Sequence, residues 1–225
     1  MKELQKADIL KYFEEINCIM ASKNKYGVIL IVGGAALTLV HDARSATFDI
    51  DALFQPTEDM RKIASQIAER YNLNEGWLND GVKGFVTPQM QSKQELFKEY
   101  SNLMVYTLSE ECLLAMKLTA ARTLTKDMDD SIFLMKKLNI KSLDELEAIV
   151  EEYTDKNRQT ASSWYFMKEA FDKYSRIVIE PPKKQHEQES ILAQIRNYNQ
   201  TRRDHNIKNP PGKDRRKNKD DQYER

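Results

Sequence analysis

The chain has 225 residues, 40% of them hydrophobic and 31% charged, and its 35 Lys/Arg balance 35 Asp/Glu. That length allows one large domain or two small ones. The absence of an apolar run of membrane-span length, and of a signal-peptide stretch in MKELQKADILKYFEEI, points away from a membrane or exported protein and towards the cytoplasm. The neutrality is uneven: residues 181–225 carry 12 Lys/Arg against 7 Asp/Glu, leaving 23 against 28 in residues 1–180.

In residues 7–22, Ile9, Leu10, Phe13, Ile16 and Met20 recur at helical spacing. GVILIV (27–32) is a short unbroken apolar run and predicts a buried strand, followed after Gly33-Gly34 by a short helix over 34–41. A second strand is expected over 46–54, stopped by Pro56, and a helix over 58–71 with Met60, Ile63, Ile67 and Ala68 inward. Residues 72–99 are rich in glycine and read as turns. NLMVYTL (102–108) predicts a third strand. Ser109 then reads as the cap of a helix through Ala121, with Glu110 and Glu111 in its first turn. Helices over 128–138, 142–153 and 158–175 complete the pattern, and Pro181-Pro182 ends it.

The fold class expected is α+β, a small mixed sheet flanked by helices and followed by a helical C-terminal part. The expected divisions are a core over 1–108, a helical region over 109–180 and a charged, flexible tail over 181–225. That tail is either plain solvated chain or a weak contact for nucleic acid or the acidic globule. Cys18 and Cys112 sit in apolar helical contexts and are expected to be reduced core residues.

Chemistry concentrates in IVGGAALTLVHDARSATFDIDALF (31–54). On a strand, Asp49 and Asp51 point to one side while Ile50 points into the core. Two adjacent carboxylates repel, and a divalent cation between them removes the repulsion. Gly33 and Gly34 let the backbone approach a ligand closely, and a helix starting there offers free N–H groups to phosphate. A phosphate cradle beside a carboxylate pair suits metal-assisted phosphoryl or nucleotidyl transfer. The structural alternatives are a tight turn for the glycines and solvated acids at a strand end. No G-x-S-x-G, Cys/His pair or G-K-[ST] loop is present, and the isolated cysteines and histidines lack zinc-ligand spacing.

Gly33-Gly34 followed by Asp49-x-Asp51 resembles the nucleotidyltransferases of the DNA polymerase β superfamily. The fuller block, with Arg44, Thr47, Asp49 and Asp51, looks most like bacterial toxin-type, AbiEii-like nucleotidyltransferases. A second block, LLAMKLTAARTLTKDMDDSIFLMKKL, is similar to that group's helical motif and contributes Lys117, Arg122, Lys126, Asp127 and Asp130. The resemblance implies Mg2+ held by Asp49 and Asp51, an NTP donor attacked at its α-phosphorus, and phosphates held at the glycine turn. Arg44, Thr47, Lys117 and Arg122 are the further nucleotide contacts, although Arg44 is equally placed to pair with Asp49 or Asp51.

The family's third carboxylate, the base for the acceptor, is missing from NLMVYTL, which leaves Asp80 as the nearest candidate. Asp59 reads as a helix cap. The residues themselves allow Lys117 to be an edge lysine, Asp127 a cap of the 128–138 helix and Asp130 the partner of a lysine. Trp77 reads as a packing residue or a base-stacking surface. The implied partners are a nucleotide, an RNA or tRNA end or a protein hydroxyl as acceptor, and an antitoxin protein. Competing functions are a small-molecule, antibiotic-type transferase and a degenerate fold that only binds nucleotide or RNA.

Overall fold

The computed structural model describes residues 3–41, 43–122 and 126–179. The expected basic tail, with His186 and His205, lies outside the described residues. β1 (Leu4–Gln5) leads into α1 (Lys6–Ser22), whose Ile9, Phe13, Ile16 and Met20 are fully buried at the expected spacing. Cys18 falls off that stripe and is exposed, a correction to its expected place in the core, whereas Cys112 is buried. There follow β2 (Gly27–Ile31), α2 (Gly33–Leu39), β3 (Ala46–Thr47), β4 (Ile50–Gln55) and α3 (Thr57–Tyr71). Next come β5 (Leu78–Asn79), α4 (Pro88–Gln91), β6 (Gln94–Glu99) and β7 (Leu103–Leu108). The helices α5 (Glu110–Ala120), α6 (Asp127–Leu138), α7 (Leu143–Tyr153) and α8 (Ala161–Tyr174) complete the described α+β fold.

The main sheet has the order β5-β4-β2-β7-β6. β2 runs antiparallel to β4 and parallel to β7, so the sheet is mixed. β2 is apolar on both faces because both are covered. Ile29 and Ile31 join a core with α1 and α3, while Leu30 joins a second core built on α5–α8. That second core takes Leu30 and Leu108 from the sheet together with Leu114, Leu118, Leu134 and Phe166 from the helices. The expected division after residue 108 therefore falls inside a shared core. Ser109 caps α5 by accepting from the Cys112 amide. Among the described residues, no helix is long and apolar enough to cross a membrane.

Two stretches differ from expectation. The strand expected over 46–54 is broken at Phe48-Asp49 into β3, which pairs with β1, and β4, which joins the main sheet. The Thr47 hydroxyl donates to the Asp49 carbonyl across this bend at 3.1 Å. The glycine-rich stretch 72–99 holds β5, α4 and β6 as well as turns. β6 is an edge strand of the described sheet, mostly exposed and paired there with β7 alone, so its side chains carry no inward–outward alternation. Trp77 is fully buried: its indole N–H donates to the Ala64 carbonyl at 2.9 Å and its ring meets Tyr12 edge-on at 5.2 Å. It packs, and offers no surface to a base.

Candidate active site

Antiparallel register brings the two halves of the first motif together. Ile31 pairs with Ala52, and beyond that pair the Val32 amide donates to the Asp51 carbonyl at 2.9 Å. The end of β2 and the start of β4 therefore share one edge of the sheet, with Gly33 beside Asp51. Gly33 adopts φ +62°, and a Cβ built there would lie 3.5 Å from Asp51 Oδ2. An L-residue pays about 1–2 kcal/mol for that left-handed conformation. Gly33→Ala should lower unfolding free energy by about that amount in a urea titration, and an unchanged midpoint would show the turn to be relaxed.

Gly34 needs its missing side chain for a different reason. A Cβ there would stand 3.0 Å from Arg44 Nη1 and 3.2 Å from Thr47 Oγ1. Arg44 and Thr47 are thus packed under the glycine turn. Neither lines the cavity above it. Arg44 pairs with neither Asp49 nor Asp51. Its Nε donates to Asp130 Oδ1 at 2.7 Å and its Nη2 donates to Asp130 Oδ2.

Asp130 is also ion-paired with Lys117 Nζ at 3.0 Å, and Lys117 Nζ donates to Asp127 Oδ1 at 2.6 Å. All four side chains of this chain of charges are largely buried. Asp130 is a lysine partner as expected, and it holds an arginine too. Asp127 does not cap α6 with its side chain; Lys126 occupies the cap position and Asp127 turns to Lys117. Ala121, after α5, adopts φ 50°, a left-handed turn that ends the helix and carries the chain to Arg122.

A cavity of about 260 Å3 lies above these elements. Its lining includes Gly33, Gly34, Asp51, Lys117, Arg122 and Asp127, together with the apolar Val82, Phe85, Met116 and Ala120. Asp49 sits at the bend before β4, outside the lining. Partial burial, then the neighbouring Asp51 charge, push its carboxyl above the ordinary carboxylate range, against the pull of Arg122. Asp49 therefore shares an electrostatic environment with both Asp51 and Arg122. Among the described residues no group of three or more His, Cys, Asp or Glu is gathered to hold a metal. The donor set on offer is the Asp49/Asp51 pair. Two mutually repelling carboxylates suit magnesium, which is commonly held by one or two carboxylates together with substrate phosphates.

Asp80 stands apart from this group. It does not line the cavity, and its carboxylate takes Lys83 Nζ at 2.5 Å and Arg61 Nη2 at 2.8 Å. The hydrogen bond from Lys83, seconded by Arg61, holds that carboxyl below the ordinary range against its own desolvation. A depressed folded pKa stabilises the fold above the unfolded value, and that contribution is lost as pH falls through the folded value. Asp80→Asn should therefore cost about 0–1 kcal/mol at pH 7 in urea unfolding. The deficit should shrink as pH falls below the ordinary carboxylate range, and transfer should remain intact; loss of transfer would restore Asp80 as a reacting group.

Of the lining residues that the sequence did not mark as nucleotide contacts, Phe85 and Asp127 bear most on the chemistry. Phe85 lies in GVKGFVTP, read only as turns, although an aromatic in a glycine-rich loop has no helix or strand period to bury it. Asp127 was legible as an acid but not as one facing the glycine turn. A family model described as nucleotidyltransferase of unknown function (DUF6036) matches residues 7–178. No curated protein and no solved structure gives a significant match to the chain.

Proposed function

Since the chain belongs to this nucleotidyltransferase family of unknown function (DUF6036), we propose that it transfers a nucleoside monophosphate from an NTP to an acceptor hydroxyl in a magnesium-dependent reaction. The observation that carries the reading is the single cavity in which the glycine turn, Asp51, Lys117 and Arg122 meet. Gly33 and Gly34 admit the donor's phosphates close to the backbone. Lys117 and Arg122 oppose the triphosphate charge in a partly dry setting, where such pairing is worth more than in water. Asp49 and Asp51 are the residues that would hold magnesium. Bound there, the ion would supply charge neutralisation at the phosphoryl oxygens.

The acceptor oxygen forms a bond to the α-phosphorus as the bond to the pyrophosphate oxygen breaks. Asp127, inside the cavity where Asp80 is not, is the acid proposed to receive the acceptor's proton. The two motif blocks that look like toxin-type enzymes support an RNA or tRNA end, or a protein hydroxyl, as the acceptor. They also support a role as the toxin of a toxin–antitoxin pair.

The test is incubation of the full chain with each labelled NTP, magnesium and total cellular RNA. Label on RNA or on protein identifies donor and acceptor together. Pyrophosphate release only on addition of small hydroxylated compounds would indicate an antibiotic-type enzyme. Nucleotide binding without turnover would indicate a degenerate fold.

A further inference from the structure

We propose that Phe85 is the stacking surface for the donor's nucleobase, held in place from behind by Arg158; the inference rests on the nucleotide reading of the cavity and extends it to the base. The cavity is lined by two kinds of side chain. Asp51, Lys117 and Arg122 are charged groups that suit a phosphate and its cation, while Val82, Phe85 and Met116 are apolar groups that no phosphate would seek. Phe85 is 41% exposed, unusual for a ring that lines a cavity and has a core close by. Its backbone is fixed by a turn in which its amide donates to the Val82 carbonyl at 2.8 Å.

One side of the ring is already taken. The Arg158 guanidinium carbon stands 3.7 Å from the ring centroid, and Arg158 Nη2 donates to the Gly84 carbonyl at 2.6 Å. A guanidinium over a phenyl face is a favourable cation–π contact. With that face covered, the ring surface left for the cavity is the opposite face and the edge. A base laid on it would complete a stack of guanidinium, ring and base. Stacking on an aromatic face is tolerant of base identity, since every base presents a π-surface. Phe85 would therefore strengthen binding of all four NTPs, purines most, because they cover more of the ring.

The experiment is calorimetric titration of the full chain, with magnesium, against ATP, GTP, CTP, UTP and inorganic tripolyphosphate, for wild type, Phe85→Ala, Phe85→Leu and Phe85→Trp. Stacking losses on alanine substitution predict that Phe85→Ala weakens every NTP by about 5- to 100-fold. Tripolyphosphate affinity should hold within about twofold, since its binding rests on the charged groups of the cavity. Phe85→Leu, which keeps apolar bulk without a ring, should lose nearly as much, and Phe85→Trp should recover it. Equal NTP affinity in Phe85→Ala and wild type would overturn the inference, as would equal losses for NTPs and tripolyphosphate, which would mark a structural role for the loop. Wild type binding tripolyphosphate as well as it binds NTPs would remove the base subsite while leaving the phosphate reading intact. Wild type binding neither would remove both.

Discussion

Asp51→Asn should abolish nucleotide transfer, by at least about 10³-fold, and leave the protein folded. Asp51 is the acid that both adjoins Gly33 and lines the cavity. The asparagine keeps its shape and loses its charge. A cation that neutralises developing phosphoryl charge supplies several kcal/mol, and each 1.36 kcal/mol is tenfold in rate. The fold should not suffer, because the substitution removes a like-charge neighbour from Asp49, whose carboxyl that neighbour helps to push upward. Product formation from labelled NTP and the thermal midpoint are the two readouts. Activity within tenfold of wild type would sink the assignment of Asp51, whereas a collapsed midpoint would mean that the residue is structural.

Asp130→Ala should damage stability severely, costing about 3–5 kcal/mol. The carboxylate of Asp130 is only 4% exposed and is shared by Arg44 and Lys117, themselves 15% and 13% exposed. Removing it strands Arg44 and leaves Lys117 with Asp127 alone, in a setting where unpaired charge is expensive. For a fold with a total stability of about 5–15 kcal/mol, that is a large fraction. Asp130→Asn, which still accepts hydrogen bonds, should cost less. Urea unfolding measures both, and a loss below about 1 kcal/mol for the alanine variant would show the network to be solvated. Because Arg44 packs under Gly34, surviving Asp130→Ala protein should also bind nucleotide more weakly.

What was legible in the sequence was what repeats or alternates. The inward stripes of α1 and α3 and the apolar run of β2 could be read because burial imposes a period on them. The Gly33-Gly34 and Asp49/Asp51 motif could be read because the chemistry needs those residue types at that spacing. β6 could not, since its side chains answer to solvent and its strand state is imposed by β7. The ends of α3 and α6 fall where the sequence places them, at Tyr71 and Leu138. They turn on Asn72 and Asn139 in the left-handed conformation, the role that asparagine shares with glycine at helix ends.

Within the site, Arg44 was read as a ligand contact because its charge suits phosphate. Its partner, Asp130, lies 86 residues away, a distance that no local pattern encodes. Phe85 was invisible for the same reason: nothing in GVKGFVTP says that Arg158 will cover its ring.

The placement of Lys117 and Arg122 beyond β7 has a consequence for how the molecule can be divided. The acids and the glycine turn come from its first half, and the cations opposite them arrive only with α5 and the turn after it. A fragment ending at Leu108 would carry the negative pole of the cavity without its counterweight, and would turn an anionic donor away. The proposed nucleotide site is thus built from two segments of the chain, and neither would carry it alone.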